Sequence, residues 1–127
     1  MTWTQKNRYY TTKSVKGNDG KIYDSKFEAG YGEELRLRKR AGQIKDYQTQ
    51  INFPLIVGKY NVGTYIADFV VYHNNGDEEI VETKGYMTDV FKLKWRLMEA
   101  IYNEKYKLTL VMQGKGKMRH ARKVIEF

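Results

Sequence analysis

The stretch YIADFVVYHNNGDEEIVETKG, residues 65–85, constrains the fold most, because two runs of strand-forming residues flank an asparagine-rich turn. This pattern predicts an antiparallel β-hairpin. Both runs also carry charge: Asp68 lies in the middle of the first, and Glu82 and Lys84 lie near the end of the second. Charged side chains are rarely buried without a partner, so these three residues need an explanation.

The length of the turn decides whether the two acids meet. A two-residue loop at residues 75–76 would pair Asp68 with Thr83 and send the acids to opposite faces, because side chains alternate across a strand. A three-residue loop at residues 74–76, with its glycine in the left-handed conformation, would pair Asp68 with Glu82. Two carboxylates so placed repel each other unless a divalent cation lies between them. The ordinary alternative is an edge hairpin whose solvated face carries mixed charges.

A third acid, Glu28, lies on a predicted helix. The pattern predicts this helix from Lys26 to Ala41, with Ser25 as its cap and Gly42 ending it in a left-handed conformation. Glu28 shares a stripe with the apolar residues that face the protein interior. Ser25 and Glu28 also fit a capping box, in which the carboxylate would bond back to the Ser25 amide. The sequence leaves both roles open.

The other patterns predict a sheet flanked by helices. They are a short hairpin within residues 14–25, a strand at 44–57, a turn over 58–63 leading to a strand at 65–72, a helix at 88–103 capped by Thr88, and a strand at 106–113. Pro54 indicates an edge position or a bulge. The predicted order is α-β-β-β-α-β, an α/β or α+β fold with a mixed central sheet. We expect one domain over residues 1–127: a basic arm and hairpin (1–24), a core (25–112) and a basic tail (113–127).

Composition narrows the class of partner. The net charge is +8, from 23 Lys and Arg against 15 Asp and Glu, which favours a nucleic acid, although many small proteins are basic without a specific reason. The sequence has no cysteine, no apolar run of about 20 residues and no signal peptide, so we expect no membrane association and a cytoplasmic location. The lysines in GKGK at 114–117 lack the spacing of a phosphate-binding loop, so we expect no nucleotide cofactor.

The acids and the lysine resemble a known family. Asp68 followed by Glu82-Thr83-Lys84 on the next strand, after a helix with an acid, resembles the PD-(D/E)XK nuclease superfamily. Residues 24–55 are similar to the front half of small phage- and prophage-encoded nucleases of this superfamily, and residues 65–85 are similar to junction-resolving members. The likeness covers about residues 25–112. Ala67 stands where the family name has proline, a variable position without a chemical role.

The resemblance implies a restriction-endonuclease-like core and an Mg²⁺-dependent DNA endonuclease, with Mn²⁺ as a substitute. Asp68, Glu82 and the Thr83 backbone carbonyl would hold the cation, and Glu28 would support a second cation or hold its water. Lys84 would orient the attacking water and stabilise charge on the phosphate. The resemblance also implies branched or junction DNA as substrate, as for Holliday-junction resolvases, a homodimer that cuts two strands, and a phage or prophage protein in the bacterial host cytoplasm.

Basic residues outside the acidic site are candidates for DNA contacts. They are Lys92 and Lys94 on the second helix, and Lys115, Lys117 and Arg119 in the tail. Solvated charge on the outer face of an amphipathic helix is the ordinary alternative for the first two. Two other functions stay open: a non-catalytic basic DNA- or RNA-binding protein, and a nuclease of other preference, such as a nickase or a sequence-specific enzyme.

Overall fold

The computed structural model describes residues 15–18 and 20–113. The elements in chain order are β1 (Val15–Lys16), β2 (Ile22–Tyr23), α1 (Lys26–Arg40), β3 (Asp46–Val57), β4 (Tyr60–Tyr72), β5 (Glu78–Lys84), α2 (Asp89–Tyr102) and β6 (Lys107–Met112). Strands β1 and β2 form the predicted small hairpin. The other four strands form one mixed sheet in the order β3-β4-β5-β6, antiparallel except for the parallel pair β5 and β6. The predicted mixed α+β class is confirmed. No helix in the described part is long and apolar enough to cross a membrane.

Both ends of α1 follow the sequence signals. The Ser25 side chain caps the helix by accepting a hydrogen bond from the Glu28 amide, with Oγ and N 3.1 Å apart. At the other end Gly42 has a φ of 77°, the left-handed conformation that glycine tolerates best. Its amide donates to the Lys39 carbonyl and the next amide donates to the Arg38 carbonyl. These bonds satisfy carbonyls that would otherwise lack partners.

Strand β4 begins earlier than the sequence indicated. The predicted turn over residues 58–63 is wrong, because Gly58 adopts a φ of 61° and two residues are enough to reverse the chain. Val57 therefore pairs directly with Tyr60, and β3 and β4 form one long hairpin. Both alternatives for Pro54 are confirmed: β3 is an edge strand, and its register shifts nearby, between Leu55 and Ile56. The Pro54 carbonyl accepts a hydrogen bond from the Tyr102 hydroxyl (2.7 Å).

The turn between β4 and β5 is the three-residue alternative. The His73 amide donates to the Asp77 carbonyl (2.9 Å), and Gly76 has a φ of 95°. The ladder runs from Tyr72 with Glu78 to Phe69 with Val81. One step further in this register, Asp68 lies opposite Glu82. The turn therefore aligns the two acids instead of separating them.

Two apolar clusters cover opposite faces of the sheet. Consecutive strand residues alternate between them, as a buried sheet with a helix on each face requires. The first cluster joins α1 residues to one face of the sheet: Phe27, Tyr31, Leu35, Phe69 and Val81. The second cluster joins α2 residues to the other: Phe91, Trp95, Met98, Val70 and Ile80.

The alternation of β4 is interrupted at Asp68. Ala67 packs in the α2 cluster, whereas Phe69, two residues on, packs in the α1 cluster. Residues two apart share a face in a regular strand, so the backbone must change direction between them. Gln50, which lies opposite Asp68 in the register of β3, has a φ of 54°. This local distortion, unusual for a residue other than glycine, lies beside the three acids.

Candidate active site

The three predicted acids lie where β4 and β5 part. The exposed fractions are 3% for Glu28, 7% for Asp68 and 3% for Glu82, and the charges of Asp68 and Glu82 both act on Glu28. Helix α1 supplies the first acid, and the two central strands supply the other two. The structure therefore brings together residues that lie up to 54 positions apart in the chain. Burial of three like charges is costly unless protons or a cation compensate them.

Asp68 links the two strands beyond the end of their ladder. Its Oδ2 accepts hydrogen bonds from the Thr83 amide (2.9 Å) and the Thr83 hydroxyl (2.6 Å). Burial raises the pKa of Asp68, whereas these hydrogen bonds and the charge of Lys84 act to lower it. The amide and carbonyl of one strand residue point to the same side, so the Thr83 carbonyl also faces Asp68. The predicted role of the Thr83 carbonyl as a cation ligand requires it to point to this side.

Glu28 turns its carboxylate toward the sheet. Its Oε2 accepts a hydrogen bond from Gln50 Nε2 (2.9 Å), and its carboxyl group is close enough to Asp68 to share a hydrogen bond. Burial, as the largest cause, and the negative charges of Asp68, Asp24 and Glu82 together raise the pKa of Glu28 to about 9. The two roles that the sequence left open are thus compatible in part. The Glu28 amide takes part in the cap, while its side chain faces the site.

Glu82 is the acid with the fewest partners. Its carboxylate accepts no hydrogen bond from the described residues, although its exposed fraction is only 3%. The pKa of Glu82 is raised to about 8, because burial and the charge of Asp24 outweigh the opposing effect of Lys84. A buried carboxylate without hydrogen bonds has its lone pairs available for a ligand.

The Lys84 ammonium lies between the acids and α2. It is 4.6 Å from the centroid of the Phe91 ring, a distance typical of a cation–π contact, and its charge acts on both Asp68 and Glu82. Lys94 lies next to it: its Nζ donates to the Thr64 carbonyl (3.3 Å), and burial and the charge of Lys84 lower its pKa. The two ammonium groups add positive charge beside the carboxylates.

The other predicted DNA-binding residues are not part of this cluster. The Lys92 side chain is exposed on α2. Both alternatives for this residue, a DNA contact and ordinary solvated charge, require such exposure. Lys115, Lys117 and Arg119 lie outside the described residues, as do most of the predicted N-terminal arm and nearly all of the tail.

Two residues of the site were not anticipated from the sequence. Asp24, at the start of α1, acts electrostatically on both Glu28 and Glu82. Asp24 lies before the helix cap, so helical periodicity does not relate it to Glu28 and gave no signal for this role. Gln50 carried no signal either, since neither its conformation nor its bond to Glu28 follows from a strand pattern.

The carboxylate groups of the site are chemically suited to bind a hard divalent cation, but their oxygen atoms do not surround one common point. Among the described residues, no group of three or more Asp, Glu or His side chains is arranged to hold a metal ion. All the donors are nevertheless carboxylate oxygens, which Mg²⁺ and Mn²⁺ prefer. Burial is the main cause of the raised pKa values of Glu28 and Glu82, and a bound cation would favour their ionised forms instead. The carboxylates would have to turn toward a common ion to bind it.

The fold and this site together define a small α+β protein with a carboxylate-rich centre between two central strands. The chain belongs to the family described as "Protein of unknown function (DUF1064)", which matches residues 6–118. The matched segment includes the four acids of the site and the lysine beside them: Asp24, Glu28, Asp68, Glu82 and Lys84. A comparison with curated proteins gave no match.

Proposed function

We propose that this protein is a metal-dependent DNA endonuclease of the PD-(D/E)XK class, hydrolysing phosphodiester bonds. One observation carries the proposal: Glu28, Asp68 and Glu82 are each almost fully buried, the charges of Asp68 and Glu82 both act on Glu28, and the charge of Lys84 acts on Asp68 and Glu82. Apolar residues in these positions would stabilise the fold better, because burying a charged group costs several kcal/mol. Strongly perturbed carboxyl groups next to a lysine are typical of catalytic sites.

The same residues provide the oxygen ligands that the chemistry needs. Asp68, Glu82 and the Thr83 carbonyl would hold Mg²⁺, with Glu28 in a supporting position. When bound, the cation supplies a Lewis acid that offsets the charge of the phosphodiester and favours ionisation of water at neutral pH. The Thr83 hydroxyl and amide orient the Asp68 carboxylate by two hydrogen bonds to its Oδ2 atom.

Lys84 would act on the substrate directly. Its Nζ carries protons that can be donated to the attacking water and to a phosphate oxygen on which negative charge builds. The Phe91 ring helps to hold the ammonium in place, since Nζ lies 4.6 Å from the ring centroid. Lys94 and the exposed Lys92 would contact neighbouring phosphates and position the strand to be cut. The net charge of +8 supports a polyanionic substrate.

Within this class we propose branched or junction DNA as the substrate, a homodimer as the active form and a phage or prophage setting. The support is the resemblance of residues 24–55 and 65–85 to phage- and prophage-encoded and junction-resolving nucleases. The order α1-β3-β4-β5-α2-β6 also supports a restriction-endonuclease-like core. Two active sites, one from each subunit, would allow opposite strands of a junction to be cut together.

Cleavage assays test the proposal. Wild type and Lys84→Ala would be incubated with a four-way junction, a plain duplex and single strands, in Mg²⁺ or in EDTA. We expect wild type to cut only with Mg²⁺, and Lys84→Ala to bind DNA but not cut it. Lys107→Ala is the matched control, because Lys107 is exposed and lies beside Glu79, five residues along β5 from Lys84. It should cut like wild type.

Each result has a defined meaning. Cleavage by Lys84→Ala at the wild-type rate would remove Lys84 from catalysis. DNA binding without cleavage under any condition would favour the non-catalytic alternative. Cleavage of the duplex and junction alike would retain the endonuclease but contradict the preference for branched DNA.

A further inference from the structure

Three large apolar side chains that follow Lys84 in the chain are exposed to solvent, and we call them the apolar surface: Tyr86, Val90 and Leu93. Their exposed fractions are 76%, 49% and 62%, and Tyr86 is the most exposed of the large apolar side chains that the structure describes. Val90 and Leu93 are three residues apart on α2, so they are neighbours on one side of the helix. Apolar side chains exposed close together mark a contact surface, whereas single ones need no explanation.

The apolar surface adjoins the candidate active site, because the loop that leads to it is held at both ends. At one end the Lys84 carbonyl accepts a hydrogen bond from the Gln113 amide (2.9 Å). At the other end the Thr88 side chain caps α2 by accepting a hydrogen bond from the Phe91 amide (3.1 Å), and the Phe91 ring centroid lies 4.6 Å from Lys84 Nζ. Tyr86 is two residues from Lys84, so their Cα atoms are at most about 7 Å apart.

The charges around the apolar surface favour a polyanion. From residue 83 to residue 98 the chain has one acid, Asp89, and four basic residues: Lys84, Lys92, Lys94 and Arg96. Lys92 and Arg96 are exposed one turn apart on α2. Charge complementarity therefore favours a nucleic acid on this surface over a second copy of the chain, which carries the same net charge of +8.

The apolar side chains indicate which part of a nucleic acid this surface fits. Within a duplex the flat faces of the bases are covered by their neighbours, so a protein reaches phosphates, sugars and base edges. Bases that have left the stack expose apolar faces, and these faces pack on aromatic side chains. With 76% of its surface exposed, the Tyr86 side chain is accessible for such packing.

We propose that the apolar surface binds unpaired nucleotides of a DNA substrate beside the phosphate that is cut, with Tyr86 stacking on a base and Lys92 contacting the adjoining backbone. This inference rests on the proposed function, because the surface adjoins the same site. It gives a physical reason for a preference for branched DNA, since unstacked bases occur at branch points and single-stranded flaps. Tyr86 would raise the affinity for such substrates without taking part in hydrolysis.

Fluorescence titration in EDTA tests the inference through binding alone. The two probes are a plain duplex and a duplex of the same length with a single-stranded flap. We expect Tyr86→Ala to bind the flapped duplex about 5- to 150-fold more weakly than wild type, because it loses one base stack, and to bind the plain duplex equally well. Tyr60→Ala is the matched control, since Tyr60 is 64% exposed and lies at the turn between β3 and β4. It should bind both probes like wild type.

Tyr86→Phe separates stacking from the loss of the hydroxyl group. This variant keeps the aromatic ring, so it should bind the flapped duplex like wild type. Unchanged binding of the flapped duplex by Tyr86→Ala would overturn the inference, and so would an equal loss of affinity for both probes. In either case the proposed endonuclease would stand. If wild type bound neither probe, DNA binding and with it the proposed function would fail.

Discussion

Glu28, Asp68 and Glu82 are each nearly withdrawn from water, and each has a raised pKa. The dominant cause is the same in all three: a carboxylate loses hydration when it is buried, so its protonated form is favoured. The hydrogen bonds from Thr83 oppose this effect at Asp68, whereas Glu82 has only the charge of Lys84. The metal-free site therefore stores electrostatic repulsion that protons or a cation can relieve.

The stability of the metal-free protein should consequently fall as pH rises. The folded pKa values of Glu28 and Glu82 are about 9 and about 8, against a usual value of 4.5. Between about pH 5 and pH 8 the folded state then binds more protons than the unfolded state, so the free energy of unfolding decreases with pH. Calorimetric melting in EDTA measures this trend. Glu82→Gln, which cannot ionise, should show a shallower decline and a higher melting temperature than wild type at pH 8.

Mg²⁺ supplies the control for that experiment. Cation binding to the ionised acids should raise the melting temperature most at high pH and flatten the profile of wild type. Identical pH profiles for wild type and Glu82→Gln in EDTA would contradict the raised pKa of Glu82.

At the scale of elements, the close contact between the β1–β2 hairpin and α1 depends on one glycine. A Cβ atom at position 32 would lie 2.5 Å from the Tyr23 hydroxyl oxygen and 2.7 Å from its ring carbon Cζ. Tyr23 is fully packed and has no room to withdraw. Gly32 therefore lowers the helix propensity of α1 but allows the β1–β2 hairpin to approach the helix closely.

Gly32→Ala should therefore destabilise the protein, although alanine is the better helix former. Overpacking costs about 1–3 kcal/mol, against about 1 kcal/mol gained from helix propensity. Urea unfolding measures the difference. In a Tyr23→Ala background the obstruction is gone, so the same Gly32→Ala change should stabilise. Equal effects in both backgrounds would show that Tyr23 and Gly32 are not coupled.

The elements also show which features of the sequence were informative. Ser25, Thr88 and Gly42 predicted the helix ends correctly, because caps act through local hydrogen bonds. The interruption of β4 at Asp68 and the conformation of Gln50 could not be predicted, since they depend on how β3, β4 and α1 meet. The same limit applies to Asp24, whose part in the site required the packing of the hairpin on α1.

For the whole molecule, the proposed DNA binding should depend strongly on ionic strength, because the net charge is +8. Each phosphate contact contributes about −0.9 to the slope of the logarithm of affinity against the logarithm of salt concentration. Glutamine at positions 115, 117 and 119 should make this slope shallower by about 0.9 for each lost contact, as measured by fluorescence titration in EDTA. The matched control replaces three exposed lysines of the described part: Lys59, Lys105 and Lys107. If both triple variants changed the slope equally, the basic tail would have no special part in binding.

The exposed edge of the sheet, strand β3, affects whether two copies of the protein can pair strand to strand. At Pro54 of β3, the proline has no N–H to donate, and its carbonyl already accepts the Tyr102 hydroxyl. Since amide and carbonyl of one residue share a side, this position offers an incoming strand no donor and an acceptor that is already engaged. The long hairpin is thereby protected from edge-to-edge polymerisation. A replacement such as Pro54→Val would restore an N–H donor at this edge, so we expect the variant to aggregate more readily than wild type, as light scattering would measure.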